Sequence, residues 1–463
     1  MAALAKIKNM SMLSGSSKTS TPRGVATPGG DSTPGKSTVA TPRKGSTLSL
    51  LADAQVDASE DATPRGSVSD SNDVLAKTAV RKCEEFPLTP EEVHASKFIK
   101  MKKIGKGAIG IVYMARLKEE ADGEEVDSSK RPKLYAIKVV TKDEMVKKNK
   151  VARVMTEREV LATTSHPFVV KMYASFQTNN KLFYCMELMA GGEFYRMLQA
   201  LPEKRMNEQD ARFYTSEVTS ALEYLHACGF VYRDLKPENV LVRADGHLAL
   251  SDFDLSKQAV AQSAQVVEKK KGFFGKKNNN GSRLDMLNIV NAGPVFEGDA
   301  KSFVGTAEYL SPEVISGEQQ TAAVDWWTLG VLMYEMIFGV TPFRGDVQDV
   351  TFANIISKEL KFPADIPVSK ECKELLKKLL TRDAKKRLGS NGGSSEIKSH
   401  KWFAETNWGL LREQVPPIVP GMELPANWTQ MKVTMDKLDA TEGSGQATEG
   451  TNAFTDFNAT TTA

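Results

Sequence analysis

Cysteine is scarce in this chain. The four that occur in 463 residues, Cys83, Cys185, Cys228 and Cys372, are scattered, with no C-x-x-C pair and no zinc-like spacing. That pattern argues against a structural metal, suits a reducing compartment and leaves the thiols expected as buried side chains. Long apolar runs are also missing. The most hydrophobic window, Trp326 to Phe343, contains Glu335 and a proline, so it reads as a buried helix rather than a membrane span. The opening residues MAALAKIKNM hold no apolar signal core, and Ala2 stands where myristoylation would need a glycine, so nothing there suggests secretion. Excess charge of one sign is absent too. With 61 basic and 58 acidic residues the formal charge is only +3, and no specific nucleic-acid binding is expected.

Large apolar residues are few between positions 11 and 80, a stretch rich in Ser, Thr, Gly, Pro and Asp. Such a segment cannot offset the entropy lost on folding, and residues 1–90 are expected to be disordered. Thr-Pro recurs in it at Thr21, Thr27, Thr33, Thr41 and Thr63. Thr33 with Lys36 and Thr41 with Lys44 read T-P-x-K, which resembles the target pattern of proline-directed kinases; an unregulated solvated tail is the other reading. The length allows two or three domains, but a sizeable core is expected only in the middle.

What is present begins at Phe98. FIKMKKIGKGAIGIVYMARLK alternates like a strand, a tight turn and a second strand, and Gly105, Gly107 and Gly110 with Val112 spell G-x-G-x-x-G-x-V. A glycine triad alone is weak, but β-type residues follow it rather than the helix of a dinucleotide fold. Glycines there let backbone N–H groups approach phosphate oxygens. After a charged insertion at 119–133 comes Leu134-Tyr135-Ala136-Ile137-Lys138, a strand carrying a lysine suited to phosphate. KDEMVKKNKVARVMTEREVLATT then has helical periodicity, with Val151, Val154, Met155, Val160 and Leu161 on one face. Both Glu157 and Glu159 are candidates to pair with Lys138. His166, His226 and His400 lack neighbours that suggest catalysis and are expected to be structural.

The chemistry concentrates between Phe230 and Lys257, FVYRDLKPENVLVRADGHLALSDFDLSK. Asp234 can accept a hydroxyl proton, Lys236 can neutralise a transferring phosphoryl group, and Asn239 with Asp252 offers the hard oxygen ligands that magnesium prefers. Asp252 and Ser302 are 50 positions apart, and between them lies the low-complexity stretch QSAQVVEKKKGFFGKKNNNGSRLD. Its basic and aromatic run, Lys269 to Lys277, suits an anionic membrane, a nuclear importer or a plain solvated tether. A cytoplasmic location is expected, with nuclear or plasma-membrane placement left open by that run. Near the C-terminus Phe454 and Phe457 stand out in a Thr-rich setting, and two aromatics at this spacing can dock into an apolar groove.

Taken together, Tyr232-Arg233-Asp234, Asn239, Asp252-Phe253-Asp254, Lys138, the glycine loop and TAEYLSPE at 306–313 resemble the AGC group of serine/threonine protein kinases. Within that group, Asp254 in place of glycine and the long insertion look like the branch of plant phototropins and fungal flippase kinases, without a recognisable light-sensing domain. The resemblance implies an α+β, bilobed kinase fold, with a β-rich small lobe at 98–186, a mainly helical large lobe at 187–403 carrying an insertion at 259–300, and a C-terminal tail at 404–463. It implies ATP and Mg2+ as cofactors, protein serine or threonine as acceptor, and Glu157 rather than Glu159 as the partner of Lys138. It puts ATP against Ile104, Gly105, Gly107, Gly110, Val112, Ala136, Lys138, Met186, Glu187, Met189, Glu193 and Leu241, with Met186 as gatekeeper.

The resemblance implies roles outside the cleft as well. Arg387 would pair with Glu313, and Tyr232 would join Leu161, Met172 and Phe253 in a hydrophobic spine. Ser302 becomes a regulatory phosphosite met by Arg153, Arg233 and Lys257, and an upstream kinase of the phosphoinositide-dependent type that recognises Phe454 and Phe457 becomes its donor. Glu193 and Glu238 suggest substrates with arginine upstream of the acceptor. Asn458 replaces the residue that many relatives phosphorylate, so docking without modification is expected there. The competing readings are a pseudokinase scaffold that recruits partners through its tails, and a lipid or nucleic-acid binder acting through the lysine run.

Overall fold

Strands form where apolar residues alternate, and the small lobe is built that way. A computed structural model describes residues 86–89, 91–107, 109–118, 132–258, 306–420, 435, 453–454 and 456–458, and the backbone of 265–268, 287–290 and 459–460. Five strands, β1 (Phe98–Lys106), β2 (Ile111–Leu117), β3 (Leu134–Thr141), β4 (Met172–Gln177) and β5 (Lys181–Glu187), make an antiparallel sheet in the order β1-β2-β3-β5-β4. The β1–β2 turn closes through Gly107 N–H donating to the Gly110 carbonyl at 2.9 Å. A Cβ on Gly110 would stand 2.5 Å from the Val139 carbonyl oxygen, so that position needs glycine to let β2 lie against β3.

One face of the sheet buries Phe98, Tyr135, Tyr173, Phe176 and Phe183 in an aromatic cluster. Phe86 stacks on Tyr173 with ring centroids 5.5 Å apart and meets Tyr135 edge-on at 5.7 Å, and Leu88 packs beside it. The disordered region expected up to residue 90 therefore ends too late: two apolar residues in a polar run suffice to dock when aromatic surface is waiting. The other face receives a helical segment. The stretch read as one periodic helix is two, α1 (Lys142–Lys147) and α2 (Val151–Thr163), because Asn149 between them takes a φ of 51°, a conformation that asparagine tolerates better than most residues. Val154, Val160 and Leu161 are buried, and Val151 and Met155 pack against the same core.

The large lobe hangs on two long helices, α4 (Glu208–Ala227) and α6 (Ala323–Phe338); the shorter α3 (Phe194–Ala200) and α5 (Pro312–Ser316) precede them in turn. The Asn207 side chain caps α4 by accepting from Asp210 N–H at 2.9 Å. Every residue of α6 except Glu335 is buried, and Gly339 ends it in the left-handed conformation. Among the described residues no helix is long and apolar enough to cross a membrane. Arg387 lies fully buried with its guanidinium forked on Glu313 at 2.6 and 2.8 Å.

Short strands carry the functional loops. They are β6 (Gly192–Glu193), β7 (Phe230–Val231), β8 (Val240–Val242), β9 (Leu248–Leu250) and β10 (Lys257–Gln258). Within the insertion, β11 (Gln265–Glu268) and β12 (Leu287–Val290) pair antiparallel, which low complexity did not announce. Cys185 and Cys372 are buried thiols, but Cys228, expected to be buried, is exposed where α4 ends. Cys83 lies outside the described residues.

Candidate active site

Three elements bring one lysine and two carboxylates together. Lys138 on β3 donates from Nζ to Glu157 Oε1 at 2.6 Å and to Asp252 Oδ1 at 2.9 Å. Glu157 on α2 is buried and Glu159 is exposed, so the lysine meets the first of the two candidates. Burial works against the charge on Lys138, but Asp252 and Glu157 outweigh it and hold the ammonium well above its ordinary range. Burial pushes the Glu157 carboxyl up to about 7 while Lys138 opposes that rise. Lys138 draws Asp252 below the ordinary carboxylate range.

The second group stands on the loop before β8. Asp234 Oδ2 accepts from Lys236 Nζ at 2.8 Å and from Asn239 Nδ2 at 2.6 Å. Burial raises the Asp234 carboxyl, with Lys236 pulling the other way. The Asn239 carbonyl in turn accepts from Ser251 N–H and Ser251 Oγ, both at 2.9 Å, which ties this loop to the residue before Asp252. Beneath them Asp325 of α6 accepts the backbone N–H groups of Tyr232 at 2.9 Å and Arg233 at 2.7 Å, with His226 Nε2 at 2.7 Å on the same carboxylate. That grip holds Arg233 at a φ of 68°, and Asp252 has a φ of 52°; non-glycine residues there store strain that the surroundings must offset. Tyr232 packs on Phe253 with centroids 5.3 Å apart, in one core with Leu161 and Met172.

A cavity of about 230 Å3 opens between the lobes. Of the expected contacts, Ile104, Gly105, Gly107, Val112, Ala136, Lys138, Met186, Glu187, Met189, Glu193 and Leu241 line it, and so does Asp252, the expected metal ligand. Gly110 does not; it serves the packing of β2 on β3 instead. Val170 and Ser251 line it as well and were not legible, because both reach it through the backbone pairing of Val169 and Val170 with Leu250. Glu238 is exposed and lines the cavity, and its charge, with that of Glu308, adds to the burial that raises the carboxyl of Glu335 on α6, whose Oε2 accepts from Tyr309 OH. The acidic patch at the mouth is therefore wider than Glu193 and Glu238.

Outside the cleft, Arg153 lies close enough to Arg233 to add to the effect of burial in lowering its proton affinity, against Asp325. Lys257 is on β10, paired with Val231 of β7. Ser302 and the run 269–277 lie outside the described residues. Phe454 and Phe457 are fully buried on the small lobe. Ser175 Oγ donates to the Phe457 carbonyl at 2.6 Å, Gln177 Nε2 to the Phe454 carbonyl at 2.9 Å, and Arg158 of α2 to the Phe457 and Asn458 carbonyls at 3.3 and 3.2 Å. Beyond them β13 (Ala459–Thr460) adds a sixth strand to the sheet beside β4.

Comparison with known proteins agrees with this geometry. Residues 98–403 match the protein kinase domain. The chain is 49% identical over 323 residues to flippase kinase 1 of Saccharomyces cerevisiae, covering 70% of this chain and 34% of that protein. It is 48% identical over 332 residues to serine/threonine-protein kinase nrc-2 of Neurospora crassa, covering 71% and 50%. With phototropin-2 of Oryza sativa it shares 40% over 353 residues, covering 75% and 36%. The chain thus spans between about a third and a half of the length of these relatives. The paired lysine, the catalytic-loop order and the match over both lobes agree, and the chain belongs to the protein kinase family, in the branch that holds the flippase kinases and phototropins.

Proposed function

We propose that this chain is an ATP-dependent serine/threonine protein kinase that moves the γ-phosphoryl group of ATP to hydroxyls of protein substrates. The observation that carries the reading is the double contact of Lys138 with Glu157 and Asp252 at 2.6 and 2.9 Å on the wall of the interlobe cavity. A lysine fixed between two carboxylates stays charged and aimed, which is what a phosphate ligand requires. Asp234, raised by burial, is the proton acceptor for the attacking hydroxyl, and Lys236 beside it at 2.8 Å offsets charge as the phosphoryl group moves.

The residues present fit a hard divalent cation such as Mg2+. Asn239 commits its amide nitrogen to Asp234, leaving its oxygen as the ligand atom, and Asp252 keeps one oxygen off Lys138 with its side chain 50% exposed. When bound there, the cation would supply neutralisation of phosphate charge; the aim and protonation of the two ligands are set by Asp234 and Lys138.

Phosphorylation of Ser302, with Arg153, Arg233 and Lys257 as the cations that would meet the phosphate, is the regulatory step of this reading, with a phosphoinositide-dependent type of kinase as donor. Since Phe454 and Phe457 are buried in the small lobe, that donor would meet them only while the tail is released. The run 269–277 is proposed to touch anionic membrane from a cytoplasmic, nuclear or plasma-membrane location. The acidic mouth formed by Glu193, Glu238, Glu308 and Glu335 supports substrates with arginine upstream of the acceptor. A positional peptide library with labelled ATP tests this: serine and threonine peptides with upstream arginine should be labelled, and a library labelled with no such preference, or not at all, would contradict it.

A further inference from the structure

The stretch Leu188–Ala190 crosses between the lobes, and both its ends stand on one dipeptide. At the far end Gly191 N–H donates to the Val242 carbonyl at 2.9 Å, and a Cβ on Gly191 would press to 2.8 Å on the Val242 side chain. At the near end Glu187, the last residue of β5, is held by the neighbouring Arg243. Its Oε1 accepts from Arg243 Nε at 2.7 Å and its Oε2 from Nη2 at 3.0 Å, a fork that fixes the plane of both groups. The third guanidinium nitrogen, Nη1, donates to the Pro167 carbonyl in the connection after α2 and to the Leu248 carbonyl at 3.2 Å. One side chain, 10% exposed, therefore joins the crossing segment, the root of α2 and β9.

Arg243 has a rigid footing. Its own N–H donates to the His247 carbonyl at 2.8 Å. His247 Nδ1 pairs with Glu217 of α4, which also accepts Leu248 N–H at 2.8 Å. At the tip of the turn Gly246 has a φ of 92°, and a Cβ there would fall 2.2 Å from the Ile418 carbonyl oxygen, so the C-terminal segment lies directly over it.

We propose that Arg243 is a positioning residue for nucleotide: through Glu187 it sets where Met186, Glu187 and Met189 stand in the cavity wall. The inference rests on the reading of that cavity as the ATP site. A pair held only for stability would be replaceable. Exchanging both members of a buried ion pair for apolar groups is often neutral, whereas removing one leaves the other charge stranded. Geometry is different, because two methionines fill the space but cannot fork, and the crossing segment loses its aim.

The test uses the full chain, with calorimetric affinity for Mg·ADP, melting temperature and KM for ATP measured on wild type, R243M and the double variant E187M/R243M. R243M is expected to weaken Mg·ADP and raise KM for ATP by about tenfold, with KM for peptide unmoved. The double variant should melt above R243M, since no carboxylate is left stranded, while the affinity stays weak. Unchanged affinity in R243M, or affinity that returns together with the melting temperature, would overturn the proposal. If R243M does not fold, E187Q reads the same quantity: it removes the charge and keeps the shape, and wild-type affinity in it would be equally fatal. A wild type that binds Mg·ADP but transfers no phosphate removes the kinase reading and leaves this comparison in force; one that binds no Mg·ADP overturns both.

Discussion

Glu157 is the residue whose protonation decides whether Lys138 is aimed. Its carboxyl, pushed by burial to about 7 against an ordinary 4.5, takes up a proton on acidification well before an ordinary glutamate would. Folded protein then binds more protons than unfolded protein between pH 7 and 4.5, so this group's contribution to stability grows as pH falls and is lost as pH rises through 7. Activity has the opposite sign, since the neutral acid gives up its ion pair with Lys138. The pH profile of kcat/KM is expected to fall on the acid side with a limb near 7, and Glu157→Gln should lower the plateau and erase that limb. An acid limb kept in Glu157→Gln would assign it elsewhere. Residue by residue, legibility followed sequence spacing. Lys138, Asp234, Asn239 and Asp252 stand at set intervals in a local order, and they were read. Arg243 was not, because a single arginine in VRADGH carries no pattern and its partners are Glu187 and Pro167, 56 and 76 positions away. Glu335 does carry a signal, a carboxylate in an apolar helix, but that signal separates a buried helix from a membrane span and does not point to the cleft.

Among the elements, the C-terminal tail has the clearest consequence. Two buried phenylalanines and the added strand β13 hold the outer edge of β4, and Arg158 links the same tail to α2, next in sequence to Glu157. Phe457→Ala should cost about 3 kcal/mol of docking, in the range of large-to-small changes in a core. Hydrogen exchange should rise at Ser175 and Ala174, which pair with Ala459 and Thr460, and along α2, with a loss of activity. Protection that stays at wild-type level in both places would mean that the tail does not brace the helix. The spacing of Phe454 and Phe457 was visible in sequence, and so was the groove-filling role. What escaped was the break at Asn149, since apolar periodicity continues across it, and the docking of Phe86 and Leu88, which depends on aromatic surface assembled from four strands. Local period says which face is apolar; it does not say where a turn interrupts or what distant surface is waiting.

For the molecule as a whole, residues from both lobes meet at one cleft, with α6 fixing the catalytic loop through Asp325 and Lys138 bridging α2 to Asp252. Fold class was legible because an α+β bilobed kinase concentrates its chemistry in ordered motifs, whereas interlobe geometry is carried by isolated polar side chains. The central claim is that Lys138 and Asp252 serve one phosphate-bearing ligand. Its most direct measurement is transfer of labelled phosphate from ATP to a basic serine peptide, with magnesium titrated, by purified wild type and Asp252→Asn of matched folding. Wild type should transfer in a magnesium-dependent manner and the variant should lose about a thousandfold. Equal transfer by the two proteins, at any magnesium concentration, would contradict the account.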